Sequence, residues 1–291
     1  MDKVFVIFNP AARGEKSRRL RRFLEGKANT DIVIAPTQCA GDAKLLAARA
    51  VAEGYTMVIA AGGDGTINEV INGVGTSGAA LGILPLGTVN VFAQELGIRR
   101  RIETAWAIIE AGRTRVIDLA CATAGGAPRY FAQLAGVGFD ARAVRAASWE
   151  LKKKVGPLSY IWAGLKTIAG KHARVEFSAN GTGTQGGGVA VLVGNGRFYG
   201  GPFPLFSRAK LDDGLLDVCV FESCGYFDVL RYAQAVLRGA HIKQRGVQYF
   251  QIDKLVCRTA GAAAYQLDGE DAGDLPVTFS ILPRALRVAV P

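Results

Sequence analysis

Histidine is scarce in this 291-residue chain: there are two, His172 and His241, far apart and without a matching nucleophile elbow. A Ser-His-Asp hydrolase or a His-ligated metal enzyme needs more than that, so neither is expected and each histidine reads as structural. The five cysteines, Cys39, Cys121, Cys219, Cys224 and Cys257, are odd in number, scattered and without a CxxC spacing. That argues against a disulfide framework and a zinc cluster, and it favours a reducing, cytoplasmic setting. Long hydrophobic runs are missing too. None approaches the ~18 residues of a membrane-spanning helix. The opening MDKVFVIFNPAARG has a five-residue apolar run and no small-residue cleavage site, so no secretory signal is expected. The pattern GxxxxGK[ST] and the protein-kinase HRD and DFG motifs do not occur.

Glycine, by contrast, is abundant: 37 of 291 residues, against a usual share of ~7%. The glycines have no collagen period and cluster in short runs between apolar segments, which reads as turns and ligand loops. Lys plus Arg number 35 and Asp plus Glu 25, a net charge of +10. Such an excess predicts affinity for something anionic, whether phosphates, nucleic acid or an acidic membrane surface, or else serves solubility alone.

The first half alternates β-branched runs with helical stretches. Val4–Phe8, Ile32–Ala35, Met57–Ala61 and Leu81–Leu84 read as strands; Arg18–Leu24, Asp42–Glu53, Ile67–Val74, Asn90–Leu96 and Ile102–Ala111 read as helices. This spacing predicts βαβ units, hence an α/β domain on a parallel sheet. After Asp118 the character changes. Short strand-like runs follow at Arg129–Leu134, Arg174–Ala179, Val189–Val193, Leu216–Phe221, Lys254–Cys257, Tyr265–Leu267 and Val277–Leu282. Helical stretches over Ala141–Ala169 and Phe227–Arg238 interrupt them, and Asn180–Gly188 reads as a hairpin turn or loop. The second half is therefore expected to be a mostly antiparallel β-sandwich domain.

The strongest local signal is YTMVIAAGGDGTINEVING. A strand runs into Gly62-Gly63-Asp64-Gly65-Thr66 and a helix follows. Glycines admit a close ligand, and the backbone N–H groups of a helix start favour phosphate. Asp64 would repel a bare phosphate, which points to a bridging Mg²⁺; the alternative is an ordinary strand-to-helix turn with Thr66 as N-cap. A second such turn passes through Gly87 and Thr88, and a third follows the first strand at Asn9–Gly14. All three would lie at the carboxyl edge of a parallel sheet, where open α/β sheets bind ligands. The second half holds two acidic turns. Lys210-Leu211-Asp212-Asp213-Gly214-Leu215-Leu216-Asp217 suits either a hard cation or a hairpin turn. Gln266-Leu267-Asp268-Gly269-Glu270-Asp271 suits either a general base or a solvated acidic turn.

Taken together, NPAARG, GGDGTINEVING, LPLGTVNVFAQELGI, AGVGFD, GNGRFYGG, KLDDGLLDV and LDGE run in an order that resembles the diacylglycerol kinase catalytic-domain superfamily, the bacterial lipid kinases related to sphingosine kinases. The resemblance covers nearly the whole chain. GGDGT alone is shared with NAD kinases and phosphofructokinases; DDGLLD and LDGE make the likeness specific. It implies a nucleotide-binding α/β domain over residues 1–118, to which 284–291 return, a β-sandwich lipid-substrate domain over 119–283, and a cleft between them. It implies ATP and Mg²⁺ as cofactors and a lipid hydroxyl as acceptor. Asn9, Thr37, Gly62, Gly63, Asp64, Gly65, Thr66, Ile67, Asn68, Gly87 and Thr88 match nucleotide-binding positions. Glu270 matches the proton acceptor, with Asp268 beside it and Asp64 as the third catalytic carboxylate. Lys210, Asp213 and Leu215 match a structural Mg²⁺ site, the first and last through carbonyl oxygens.

Two positions depart from the pattern. Arg13 stands where relatives carry a small polar residue. Val91 stands where many bacterial relatives carry an Asp of the acidic network about the catalytic metal, which leaves Asp64 and Asp118 to carry it. The rival readings are a kinase of a soluble substrate, NAD above all, and a non-catalytic nucleotide or anionic-lipid binding protein. The basic runs Arg18, Arg19, Arg21, Arg22 and Arg99–Arg101 lack interleaved aromatics, so nucleic acid is not an expected partner. Ser148–Gly170, where Lys152, Lys153 and Lys154 neighbour Trp149, Tyr160, Ile161 and Trp162, is the expected peripheral contact with an anionic membrane, or a basic helix whose aromatics pack on the sandwich. The sequence leaves the oligomeric state open, a homodimer included.

Overall fold

A computed structural model describes residues 3–10, 14–27, 31–146, 173–179 and 185–291, without the side chains of 14–17. The expected membrane surface at Ser148–Gly170, Arg13, His172 and the 180–184 part of the Gly-rich tract lie outside the described residues. The chain forms two compact units, Met1–Leu119 with Pro283–Pro291, and Ala120–Leu282.

The first unit is built on parallel strands β1 (Val4–Phe8), β2 (Ile32–Pro36), β3 (Met57–Gly62) and β4 (Ala80–Pro85), in the order β2-β1-β3-β4. The register pairs Val4 with both Ile32 and Met57, and Met57 with Ala80, so all four strands end near one edge. Strands β1, β3 and β4 are buried almost throughout, which is why their sequences are continuous apolar runs rather than alternating ones. The helices are α1 (Gly14–Glu25), α2 (Asp42–Ala52), α3 (Asp64–Val74), α4 (Val91–Glu95) and α5 (Ile102–Glu110). On α5, Ile102, Ala105, Trp106 and Ile109 are buried at i, i+3, i+4 and i+7, one face of a helix. Helix α2 buries only alanines, Ala43, Ala47 and Ala50. A Cβ on Gly73 would meet Lys44 O at 2.3 Å, so the two helices pack backbone to backbone.

Strand β5 (Thr114–Thr123) and the last strand, numbered β18 below, each contain one passage between the units. The second unit continues with β6 (Arg129–Phe131), β7 (Leu134–Gly138), α6 (Phe139–Ala146), β8 (Val175–Ala179), β9 (Gln185–Gly188), β10 (Ala190–Gly194), β11 (Phe198–Tyr199), β12 (Phe203–Pro204) and β13 (Leu216–Phe221). Then come α7 (Tyr226–Leu237), a 3₁₀ turn at His241–Lys243, β14 (Val247–Ile252), β15 (Lys254–Arg258), β16 (Ala264–Leu267), β17 (Glu270–Asp274) and β18 (Val277–Ala289). One antiparallel sheet runs β14-β13-β10-β7-β16-β17, and facing it β18, β15, β8 and β9 pair antiparallel in turn. Alternate residues supply the core: Val277, Phe279 and Ile281 from β18 with Val175 and Phe177 from β8 meet Val191 and Val193 from β10 and Val218 and Val220 from β13. The outer face of the six-stranded sheet is covered by Leu205, Phe206 and Ala209, with half-buried Val236 of α7 packed against them. The end of β18 belongs to the first unit and extends its sheet in parallel, Arg287 beside Ala80 and Val288 beside Leu81.

The elements differ from the sequence reading in instructive places. The strand expected over Arg129–Leu134 is two strands, because the N–H groups of Ala132 and Gln133 turn aside to the Asp268 carboxylate. Gln185–Gly188 of the expected loop tract is a strand edge on β8. Helix α3 begins at Asp64, three residues before its expected start, with Gly63 rather than Thr66 as N-cap.

Candidate active site

The carboxyl ends of β1 to β4 bring Asn9, Thr37, Gly62–Asn68 and Gly87–Thr88 to one edge of the first unit. Backbone bonds lock the turns in sequence across that edge: Thr37 N–H to Phe8 O at 2.9 Å, Asn9 N–H to Ala61 O at 3.1 Å and Leu86 N–H to Gly62 O at 2.9 Å. The Asn9 amide donates to Thr66 Oγ1 at 3.3 Å, which ties the first turn to α3. Thr66 is buried, and a Cβ on Gly62 would meet its Oγ1 at 2.4 Å. Ile67 is buried as part of the core, so among the matched nucleotide positions its side chain is a packing residue. Asn68 carbonyl and side-chain oxygens accept from the Asn72 amide at 2.9 and 3.1 Å. Thr88 is exposed at the tip of its turn.

Asp64 has a definite job here. Its Oδ1 accepts the Val91 N–H at 2.7 Å and its Oδ2 accepts the Asn90 N–H at 3.0 Å, so one carboxylate at the start of α3 caps the start of α4. Asn90 returns the link: its amide donates to Gly62 O at 3.1 Å. Asn90 sits in the left-handed region at φ 54°, is 1% exposed, and keeps its Oδ1 buried without a hydrogen-bond partner. The two Gly-rich turns thereby touch backbone to backbone, since a Cβ on Gly87 would lie 2.9 Å from Gly63 Cα. No side chain caps α3 itself, which suits its N-terminus to an anion. Glu69, further along α3, does for α2 what Asp64 does for α4, accepting the N–H groups of Gly41 at 2.9 Å and Ala43 at 3.1 Å. Neither Asn90 nor Glu69 was among the residues picked from sequence. An Asn ending a Gly-Thr turn just before a helix is a cap signal that could have found the first; Glu69 caps a helix distant in sequence and has no such signal.

Asp118, the other carboxylate expected to support a metal network, is fully buried and accepts the Arg284 N–H at 2.8 Å, where Arg284 has φ 52°. Both Asp64 oxygens also accept backbone N–H groups, and no cluster of three His, Cys, Asp or Glu side chains able to hold a metal occurs among the described residues. Each Asp64 oxygen accepts one N–H group and keeps a further lone pair, so loop positioning and the expected metal contact are compatible on the same carboxylate.

In the second unit, Asp268 and Gly269 form the two-residue turn of the β16–β17 hairpin, at φ 48° and 86°, with Leu267 paired to Glu270. Both positive angles fit a type I′ turn, which Asp-Gly favours. The Asp268 carboxylate accepts three backbone N–H bonds, from Ala132 at 2.8 Å, Gln133 at 3.0 Å and Leu134 at 2.9 Å. It holds the turn and presents Glu270, which stands exposed at the first position of β17. A second anchor comes from AGVGFD and GNGRFYGG. Buried Asp140 at the start of α6 accepts from Tyr199 Oη and from the Gln266 amide, and Gln266 Oε1 accepts the Gly269 N–H at 2.7 Å. Burial raises the Asp140 carboxyl above its ordinary range, and the two donors oppose that rise. Gly136 is required beneath it, because a Cβ there would lie 1.7 Å from Asp140 Oδ2. Arg145 of α6 clamps the hairpin from its far side, bonding Asp271 at 2.8 Å and Asp274 at 3.0 Å and holding Asp271 below the usual carboxylate range.

The turn carrying Lys210, Asp213 and Leu215 leads into β13, four strand steps from β17 in the same sheet, about 19 Å between strand axes. Exposed Asp213 accepts the Leu215 N–H at 3.1 Å. Asp217, next on the strand, accepts from Tyr249 Oη and from Gln251 at 3.2 Å; burial raises its carboxyl, as does the charge of Asp213. One carboxylate and two carbonyl oxygens are the donors a hard divalent cation takes, so the residues fit Mg²⁺ in kind.

Two family descriptions match the chain: "Diacylglycerol kinase catalytic domain" over residues 3–122 and "YegS C-terminal NAD kinase beta sandwich-like domain" over residues 133–290. Diacylglycerol kinase of Bacillus subtilis (strain 168) is 31% identical over all of this chain and 97% of its own length. The "Probable lipid kinase YegS-like" of Pseudomonas aeruginosa is 32% identical over all of this chain and 95% of that protein. A crystal structure of a diacylglycerol kinase from Bacillus anthracis str. Sterne shares the fold, at a TM-score of 0.79 and 24% identity, covering 100% of this chain and 97% of that one.

Proposed function

Because the chain belongs to the diacylglycerol kinase catalytic-domain family, we propose that it is an ATP-dependent lipid kinase, moving the γ-phosphoryl group to the hydroxyl of a diacylglycerol-like or sphingoid lipid, with Glu270 as proton acceptor. The observation that carries this reading is the set of four turns drawn together at the carboxyl edge of one parallel sheet, two of them pinned through Asp64 and Asn90. Phosphoryl transfer passes through a loose transition state, so positioning and charge stabilisation do most of the work. The uncapped start of α3 and the Gly87–Thr88 turn would hold the phosphates through backbone N–H groups. Asp64 keeps those turns in register. Glu270 would take the hydroxyl proton as the new bond forms; an ordinary carboxylate suffices, since the alcohol need not ionise first. The Lys210 and Leu215 carbonyls with Asp213 would hold a structural Mg²⁺ away from the base. Magnesium bound with the nucleotide neutralises charge on its phosphate oxygens.

Incubation with labelled ATP and a total lipid extract tests the assignment. A labelled phospholipid is the expected product; label passing only to NAD or another soluble acceptor would overturn it. Two variants probe the parts. A Cβ at position 87 would sit 2.9 Å from Gly63 Cα and 3.0 Å from Asn90 Oδ1, so Gly87→Ala forces the turns apart at a strain of about 1–3 kcal/mol. Weaker ATP binding by calorimetry in a folded protein is expected, and unchanged affinity would show that this closeness does not matter. Asp213→Ala should abolish the rise in melting temperature on adding Mg²⁺ without nucleotide and leave ATP affinity in place. An undiminished Mg²⁺ response would mean the cation sits elsewhere.

A further inference from the structure

We propose that the outward face of α7 docks the protein on an anionic lipid bilayer. The proposal rests on the lipid-kinase reading, since a kinase of that class must meet an acceptor held in a membrane. No helix among the described residues is long and apolar enough to cross one. Among those residues, the exposed large hydrophobic side chains are Val33, Leu45, Tyr226, Phe227, Leu230 and Leu237, and the last four belong to α7. Their exposures are 59, 89, 58 and 69%. Tyr226, Leu230, Ala233 and Leu237 fall at i, i+4, i+7 and i+11, a single stripe along the helix, with Phe227 beside its first turn.

The stripe is not a core face left uncovered by chance, because α7 already has one. Tyr232 and Ala235 are buried on the opposite side, the Tyr232 ring lies 4.9 Å from Phe221, and Val236 packs over Leu205 and Phe206. Two aromatics and two leucines in line on a docked helix mark an interaction surface.

Charge selects the occupant. The single acid of α7, Asp228, is bridged by Arg231 at 3.0 Å. Arg238 at the helix end, then Lys243 and Arg245, are exposed beyond it, against one exposed acid, Glu222, whose backbone N–H donates to Gly246 O, in a chain of net charge +10. Apolar side chains with aromatics on one face and a basic border suit a helix lying in the plane of an anionic interface. A second copy of this chain docked face to face would set the same basic border against itself, whereas an anionic bilayer meets it with opposite charge. This surface is distinct in sequence from the one expected at Ser148–Gly170.

Cosedimentation with phosphatidylglycerol–phosphatidylcholine vesicles, with pure phosphatidylcholine vesicles as control, tests the proposal. The unmodified protein should sediment with the anionic vesicles and release with salt. The double variant Phe227→Ser/Leu230→Ser should bind on the order of tenfold more weakly, with melting temperature and solution mass unchanged. It should also phosphorylate detergent-dispersed diacylglycerol at the normal rate while losing rate on vesicles. Equal vesicle binding by both proteins, or no binding by the unmodified one, overturns the docking surface. So does a dimer that the double variant converts to a monomer. If the variant loses vesicle binding but neither protein phosphorylates any lipid, the docking face stands and the kinase reading falls.

Discussion

Glu270→Gln is expected to fold normally, bind ATP with near-normal affinity and lose about 10²–10⁴-fold in turnover. The substitution keeps the shape of the side chain and removes its capacity to take a proton. Glu270 is exposed at the start of β17, so little folding energy rides on its charge. Its neighbour supplies the control. Asp268 bonds three backbone N–H groups, and Asp268→Asn would turn an amide N–H₂ toward donors that need an acceptor, at about 1–3 kcal/mol. A lower melting temperature with a smaller loss of turnover is therefore expected for Asp268→Asn. The opposite pattern, near-full turnover in Glu270→Gln and none in a stable Asp268→Asn, would move the base to Asp268. If neither matters in an active protein, the proposed mechanism is wrong.

Asp64→Ala is expected to remove activity by about 10²-fold or more in a folded protein, since displacing the turns that hold a reacting group by ~1 Å already has that effect. The variant strips the acceptors from Asn90 and Val91 N–H and lets α4 drift from α3. Asp64→Asn separates positioning from metal ligation: the two N–H groups now bond different oxygens, and in Asn one of those positions becomes an N–H₂ donor that cannot accept. Positioning predicts a raised KM for ATP with the Mg²⁺ titration midpoint unmoved. Ligation predicts a shifted midpoint. Unchanged turnover in folded Asp64→Ala would remove this carboxylate from the mechanism altogether.

Part of this arrangement is legible in single residues. The buried runs VFVIF and MVIAAG announce parallel strands because both faces of such a sheet are covered. Gly62 and Gly87 announce close approach because a side chain there would collide. The hairpin at Asp268-Gly269 follows from two residues that tolerate positive φ. The alternative of Thr66 as N-cap fails, since the helix starts earlier and the Thr66 hydroxyl accepts from Asn9. Arg129–Leu134 misled as one strand, since the acceptor that breaks its ladder lies more than 130 residues away in sequence.

The amino-acid sequence by itself determined the alternation of strands and helices in the first half, the change to mostly strands after Asp118, the Gly-rich turns at the strand ends and the family of the chain. These depend on local backbone preference, hydrophobic period and motif order, which act between neighbours along the chain. Only the tertiary structure decided which partner each carboxylate has. Asp64 bonds two N–H groups at the start of α4, Glu69 caps α2, Asp118 meets Arg284, Asp268 gathers three N–H groups and Asp140 takes Tyr199 and Gln266. A carboxylate in a sequence shows only that a charge is present. Its role depends on which donors the folded backbone brings within about 3 Å, because a hydrogen bond falls off steeply beyond that distance.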